Sequence, residues 1–335
     1  MELAPIFTDN IIFAENRPVR VFGTGEGKAE AFFCGERASA VSDNGKWLIE
    51  LPPRPAGGPF ELTVALNGEQ KTLRNVRIGK VYLVAGQSNA EFTLSESNTP
   101  RSDYAGDGML SCFFVAREWC ENEPMLMSDG WQNAKEEMVG SWSALGYLTG
   151  KYIRERASVP VGLVSCFQGA SVIESWLPPE HASRFRLPDD KLYYDHYIPE
   201  YAFWNRNSVI YETMLQTIMP FSFSGVIWYQ GESDASPDEA AVYADELACF
   251  FACVRSGFGD SKLPFAVVQI ADCAERLKNN GEGWRGIQRA QRLAAEADEY
   301  ARLVVSRDIS ETGFIHPPTK TLLAGRIADA LLEMT

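Results

Sequence analysis

Ser88 stands in Gly86-Gln87-Ser88-Asn89, a polar turn that follows the apolar run Val81-Tyr82-Leu83-Val84-Ala85. A serine hydroxyl attacks a carbonyl only when held exposed beside a base, and the carboxyl end of a buried parallel strand is where ligands collect in open α/β sheets. Glycine at 86 permits a tight turn, and the flanking amides of Gln87 and Asn89 suit local hydrogen bonds around it. Three further apolar runs end comparably. Val161-Gly162-Leu163-Val164-Ser165-Cys166 leads to Gln168-Gly169-Ala170-Ser171, and Val226-Ile227-Trp228-Tyr229 leads to Gln230-Gly231-Glu232-Ser233. Leu303-Val304-Val305-Ser306 leads to Asp308 and on to Ile315-His316-Pro317. Parallel strands share a carboxyl edge, so these turns can converge on one crevice. A single Gly-x-Ser turn means little; its recurrence on consecutive strands, in the order Ser, Gly, Gln/Glu, His, carries the inference.

The elements that must position these turns read as follows. From Lys80 onward apolar β-rich runs alternate with helical periods, as at 143–157, 237–256, 284–297 and 320–333, which implies a parallel sheet covered on both faces. The segment Pro178–Asn207, rich in Pro, Asp, Tyr and His, reads as a loop that shapes the pocket. Residues 5–79 are different. Short alternating runs there, separated by turns such as Gly23-Thr24-Gly25, Ser42-Asp43-Asn44-Gly45 and Asn67-Gly68, indicate a small β-sandwich with a hairpin at Asn67-Gly68. The expected organisation is therefore a β-sandwich-like accessory domain over 1–79 and an α/β domain over 80–335.

Composition narrows the function classes. The chain has 335 residues, 45% of them hydrophobic and 23% charged, which fits a folded globular protein rather than a disordered one. A net charge of −14 opposes a nucleic-acid partner, because neutralising phosphates takes clustered Lys and Arg. Seven cysteines lack paired metal-type spacing, Cys249 and Cys253 suit one helix face, and there are only three histidines. Free thiols, no metal and no cofactor are the expectation. No run approaches the roughly 20 apolar residues of a membrane span. The amino terminus lacks a signal-peptide pattern, so the expected location is cytoplasmic, unless a leader has been trimmed.

Gly86-Gln87-Ser88-Asn89, Gly169 with Glu174-Ser175-Trp176, Trp228-Tyr229-Gln230-Gly231-Glu232-Ser233 and Ile315-His316-Pro317 resemble the blocks of the sialate O-acetylesterases, members of the SGNH hydrolase superfamily related to acetylxylan esterases. Phe7-Thr8-Asp9-Asn10, Trp47 and Gly57-Gly58-Pro59-Phe60 resemble the β-module of longer members, so the likeness spans nearly the whole chain. The resemblance implies an SGNH-type α/β fold with Ser88 as nucleophile and His316 as general base. It implies an oxyanion hole of the Ser88 and Gly169 N–H groups and the Gln230 side-chain amide. Gln87, Asn89, Trp176 and Trp228 are the expected substrate-binding residues, since sugar rings stack on aromatic faces. Trp176, Tyr193, Tyr194, Tyr197, Tyr201, Trp204 and Trp228 form the aromatic set around the crevice or its loop, where His181 and His196 take rim positions.

One departure stands out. SGNH enzymes place an Asp two or three residues before the histidine, and here those positions hold Phe314 and Gly313. Glu232 is the first candidate for the orienting acid and Asp308 the second; otherwise a Ser-His dyad operates. The expected function is hydrolysis of O-acetyl groups from a sugar, with O-acetylated sialic acid first and acetylxylan or another polysaccharide as the alternative. Arg206, Arg285 and Arg289 are candidates for the carboxylate of a sialic acid. A catalytically silent carbohydrate-binding protein is the reading of another class, and a metal-dependent deacetylase is disfavoured by the absence of His/Asp ligand spacing.

Overall fold

The computed structural model describes residues 2–117, 129–185 and 199–335. Tyr193, Tyr194, His196 and Tyr197 lie outside them. The strands of the amino-terminal part are β1 (Glu2–Leu3), β2 (Ile12–Ala14), β3 (Val19–Thr24), β4 (Lys28–Phe33), β5 (Glu36–Val41), β6 (Lys46–Leu51) and β7 (Gly57–Leu66). Then follow β8 (Glu69–Gly86), β9 (Asp107–Phe114), β10 (Gln132–Ala134), β11 (Val161–Phe167), β12 (Gly225–Tyr229), β13 (Phe265–Val268) and β14 (Ala301–Val304).

The central run of the large sheet has the order β10-β9-β11-β8-β12-β13-β14. Neighbours from β9 to β14 pair in parallel, and β10 closes one edge antiparallel. Every residue of β11, β12 and β13 is buried, which is why these strands read as continuous apolar runs rather than as alternation. Helices Ala144–Ala157, Pro237–Phe258, Ala274–Glu296 and Thr321–Met334 flank the sheet. Local chemistry starts and stops them: Ser143 Oγ accepts from Gly146 N at 3.1 Å, and Ser236 caps the helix that Pro237 opens and Gly259 ends. The segment expected as a loop carries short helices at Pro179–Phe185 and Pro199–Trp204.

The amino-terminal strands form a small sandwich: β1-β3-β6 on one side, and β4, β5 and β7 joined to β8 on the other. Alternate residues of β4 and β6 are buried, as a two-layer packing requires. β8 links both parts. Its first half pairs antiparallel with β7, and its second half lies parallel to β11 and β12, so the expected boundary at 79/80 falls inside one unbroken strand. Packing is continuous there too: Phe221 meets Phe7 and Phe13 with ring centroids at 6.3 and 5.6 Å, and Trp131 Nε1 donates to Ile6 O at 2.9 Å.

Asn67-Gly68 turns β7 into β8 with both residues at positive φ, as its type predicts. Cys34-Gly35 makes a second such turn, from β4 into β5. Sequence reasoning missed β5 because no residue of this strand is fully buried, so no apolar period marks it.

Gly86 ends β8 at φ +135°, and a Cβ there would lie 2.0 Å from Tyr229 O on the neighbouring strand. Gly86→Ala must therefore separate β8 from β12 or distort the turn before Ser88. It is expected to lower stability in urea denaturation by at least about 2 kcal/mol. A stability equal to wild type would show that the close approach of these strands is not obligatory.

Candidate active site

Three parallel strands bring the glycine turns together. Phe167 of β11 and Tyr229 of β12 both pair with Gly86 of β8. Gly86 O accepts from Gln168 N at 3.0 Å, and Gln87 N donates to Tyr229 O at 3.0 Å. Ser88 then opens a one-turn helix, Ser88–Glu91, whose first N–H groups have no acceptor within the helix. Its Oγ lies 2.7 Å from His316 Nε2, and both side chains are half-buried. Burial holds the His316 pKa below the usual imidazole value, the Lys320 cation adds to that, and the Glu96 carboxylate opposes it. A neutral imidazole within hydrogen-bond reach of a hydroxyl has the geometry to accept its proton.

Gly169 comes to the same place, although a side chain already occupies its N–H, which donates to Glu91 Oε2 at 3.0 Å. Arg117 braces that carboxylate, with Nη1 2.9 Å from Glu91 Oε1 and 3.1 Å from Gln168 Oε1. Gln230 departs from expectation. Its side chain is fully buried; Nε2 donates to Ser171 O at 2.9 Å and to Asp234 Oδ2, while Oε1 accepts from Tyr243 Oη at 2.7 Å. The amide ties the β11 and β12 turns together and has no hydrogen left for a ligand oxygen.

Neither expected acid reaches the histidine. Asp308 is exposed and held by Arg326 through two contacts of 2.7 Å. Glu232 is buried, but its Oε1 accepts from Asn89 Nδ2 at 2.7 Å. Asn89 Nδ2 also donates to Ile315 O at 2.9 Å, and Asn89 Oδ1 accepts from Lys320 Nζ at 2.7 Å. Among the described residues no carboxylate hydrogen-bonds His316; the acid acting on it through its charge is Glu96, which sequence reasoning missed. Lys320 was missed as well. Four residues after His316 it reads as a solvated helix start, yet it is 1% exposed, with Nζ 5.1 and 5.5 Å from the ring centroids of Phe92 and Tyr229.

The four expected substrate-binding residues are committed to internal contacts. Gln87 Oε1 accepts from Gly231 N and Ser233 N at 3.2 and 3.3 Å, and Asn89 serves the network above. Trp176 and Trp228 have no exposed surface and pack edge to face at 5.1 Å, with Phe250 4.2 Å from Trp228. They are core, so they offer no face to a sugar, and Trp204 is buried likewise. Arg285 and Arg289 line a separate cleft with Asp272, Arg307 and Asp308, and Arg206 lies over the Phe203 ring. Arg117 pairs instead with Glu91, the last residue of the helix that Ser88 opens, and with Gln168, the neighbour of Gly169.

Burial pushes the Glu232 carboxyl up to about 7, against the Asn89 hydrogen bond and the Lys320 cation. Because the unfolded carboxyl titrates near its ordinary 4.5, the folded state binds more protons between these values, and this group's contribution to stability is lost as pH rises through that window. Glu232→Gln removes the titration. From pH 4.5 to 7 wild type is expected to lose stability relative to Glu232→Gln by on the order of 3 kcal/mol. Urea denaturation of both proteins across this range checks it, and parallel curves contradict it.

The model of the family described as "Carbohydrate esterase, sialic acid-specific acetylesterase" matches residues 78–333. The sialate O-acetylesterase of Mus musculus is 26% identical over 293 residues, covering 73% of this chain and 53% of that protein. The Homo sapiens sialate O-acetylesterase is 25% identical over 273 residues, covering 72% and 50%. The chain thus spans about half the length of the curated relatives it matches. A solved carbohydrate acetylesterase from Xanthomonas citri superposes with a TM-score of 0.84 at 28% identity, over 98% of this chain and 74% of that one.

Proposed function

The chain belongs to the carbohydrate esterase family of sialic acid-specific acetylesterases, and from that membership we propose that it is a serine esterase hydrolysing O-acetyl groups from a sugar, with O-acetylated sialic acid as substrate. The observation that carries the reading is the 2.7 Å contact between Ser88 Oγ and His316 Nε2 at the carboxyl edge of the sheet. On this reading Ser88 Oγ attacks the acetyl carbonyl while its proton passes to His316 Nε2. The negative charge on the carbonyl oxygen is met by the N–H groups of Ser88 and Gly169, the latter released when Glu91 swings away from it. The intermediate collapses, His316 returns the proton to the leaving sugar hydroxyl, and a water activated by the same imidazole frees acetate from the serine ester. No carboxylate is required at the second ring nitrogen, so the reaction runs as a Ser88–His316 dyad in the field of Glu96 and Lys320.

Sialic acid is favoured over neutral acetylxylan because Arg117 already binds one carboxylate, that of Glu91 at the end of the helix that Ser88 opens. A sugar carboxylate presents the same chemistry to the same guanidinium. Acetate release is to be compared on O-acetylated sialic acid, acetylated xylan and p-nitrophenyl acetate. Wild type is expected to prefer the sialate, Ser88→Ala to lose activity on all three by orders of magnitude, and Arg117→Ala to lose kcat/KM chiefly on the sialate. A tenth of the activity surviving in Ser88→Ala rules out the nucleophile, and preference for xylan rules out the sugar.

The pH profile tests the base. Since His316 must be neutral to accept a proton, and its pKa lies below 6.5, kcat/KM should rise through one ionisation in the acid range and reach its plateau by neutral pH. Glu96→Gln removes the charge that favours imidazolium, so the ionisation should move lower still. Glu232→Gln and Asp308→Asn should each cost less than about tenfold in kcat, whereas an equivalent change in a true triad costs about 10⁴. A loss of that larger size in either variant would restore it as the orienting acid.

A further inference from the structure

Cys249 and Cys253 lie one helical turn apart in helix Pro237–Phe258, a spacing that by itself describes a helix face. The fold adds a third donor. His181, on helix Pro179–Phe185, places a ring nitrogen so that it and the two sulfurs all lie within 4.8 Å of one another. The two Sγ atoms are 3.9 Å apart. A tetrahedral ion with bonds of about 2.3 Å to sulfur sets its two sulfurs roughly 3.8 Å apart, so the pair already has the spacing of two ligands on one ion. We propose that His181, Cys249 and Cys253 form a binding site for a single thiophilic divalent cation of the zinc class, with a fourth position left to water.

Donor chemistry selects the cation. Two sulfurs and an imidazole suit zinc, whereas magnesium and calcium take oxygen ligands. All three side chains are half-buried, so an ion has access from solvent and some shelter once bound. Without an ion the pair is ill-suited to ionise. Burial raises both thiols, Cys253 to about 12, where the Cys249 charge adds to the effect. The Glu180 carboxylate opposes thiolate formation at both sulfurs and Glu246 at Cys249, while Arg184 favours it at Cys249. A divalent cation reverses that balance: two S–H bonds break, two metal–sulfur bonds and one metal–nitrogen bond form, and two protons leave to solvent. The bound ion then staples the short helix after Trp176 to the long helix Pro237–Phe258. None of the three residues takes part in the Ser88–His316 reading, so the site stands or falls separately from it.

The test uses the full chain, kept reduced with a phosphine that does not compete for metal. Cobalt added to metal-free protein is expected to give a thiolate-to-cobalt charge-transfer band that saturates at one ion per chain and is bleached by zinc. Zinc alone should raise the Tm, because an ion bound only by the folded state stabilises it. The double substitution Cys249→Ser/Cys253→Ser should abolish the band, His181→Ala should weaken zinc binding at least tenfold, and Cys34→Ser should change neither. Absence of the band in wild type overturns the proposal, as does its persistence in the double variant. Should the double variant fail to fold, His181→Ala decides alone, and unchanged zinc affinity refutes the site.

Discussion

Asn89 holds the crevice together. Its amide donates to Glu232 Oε1 and to Ile315 O and accepts from Lys320 Nζ, at 2.7, 2.9 and 2.7 Å. Those partners come from the β12 turn, the His316 loop and the residue before the last helix, so one side chain reaches groups that lie 143, 226 and 231 residues further along the chain. Removing a charged group from water costs several kcal/mol, and Glu232 and Lys320 are both buried. The amide lies between them, answering each with a hydrogen bond of the right polarity. Because Asn89 follows Ser88 directly and its partner carbonyl precedes His316 directly, this amide also sets the distance between hydroxyl and imidazole.

The same network sets the electrostatics. Glu232 is pushed up to about 7 and Lys320 down to about 8, each by burial and each partly rescued by the other. Stacking of Nζ over Phe92 and Tyr229 adds cation–π attraction at a site with little water. The Lys320 cation acts on His316 with the same sign as burial, and Glu96, near the surface, pulls the other way. The imidazole is thus kept neutral by what lies beneath it. An aspartate at Phe314 or Gly313 is replaced by a carbonyl anchor at Ile315 and by charges that do not touch the ring.

Much of this was legible in the sequence, and what was not has identifiable causes. Strands buried on both faces announce themselves by unbroken apolar runs, so β8, β11 and β12 and their shared edge followed from composition, and with them the meeting of Ser88, Gly169 and His316. Edge strands such as β5 bury no complete side chain and leave no pattern. The family resemblance implies that Gln230 faces a ligand, and aromatic residues around a crevice suggest the same for Trp176 and Trp228. Whether they do depends on what stands behind them: Tyr243 and Asp234 engage the first, and Phe250 covers Trp228, which packs on Trp176. Glu232 misled for a similar reason. It lies at the correct edge, and only three-dimensional placement reveals that Asn89 comes between it and the histidine loop. Arg117 and Lys320 carried no local signal, since each acts through residues distant in sequence.

Glu91 connects recognition to chemistry on the proposed mechanism. With its carboxylate on the Gly169 N–H, the free protein leaves no orphaned donor at this point, which a half-buried amide would otherwise become. The negative oxygen of the reacting ester then exchanges one charge-assisted hydrogen bond for another, so this donor contributes less than one held open. The difference depends on how firmly Arg117 holds Glu91. On that proposal a substrate carboxylate at Arg117 would loosen the hold and let Glu91 leave Gly169, whereas a neutral sugar would leave the ion pair intact. Charge on the substrate would then act twice, in binding and in opening the donor, and the second effect belongs to kcat rather than to KM.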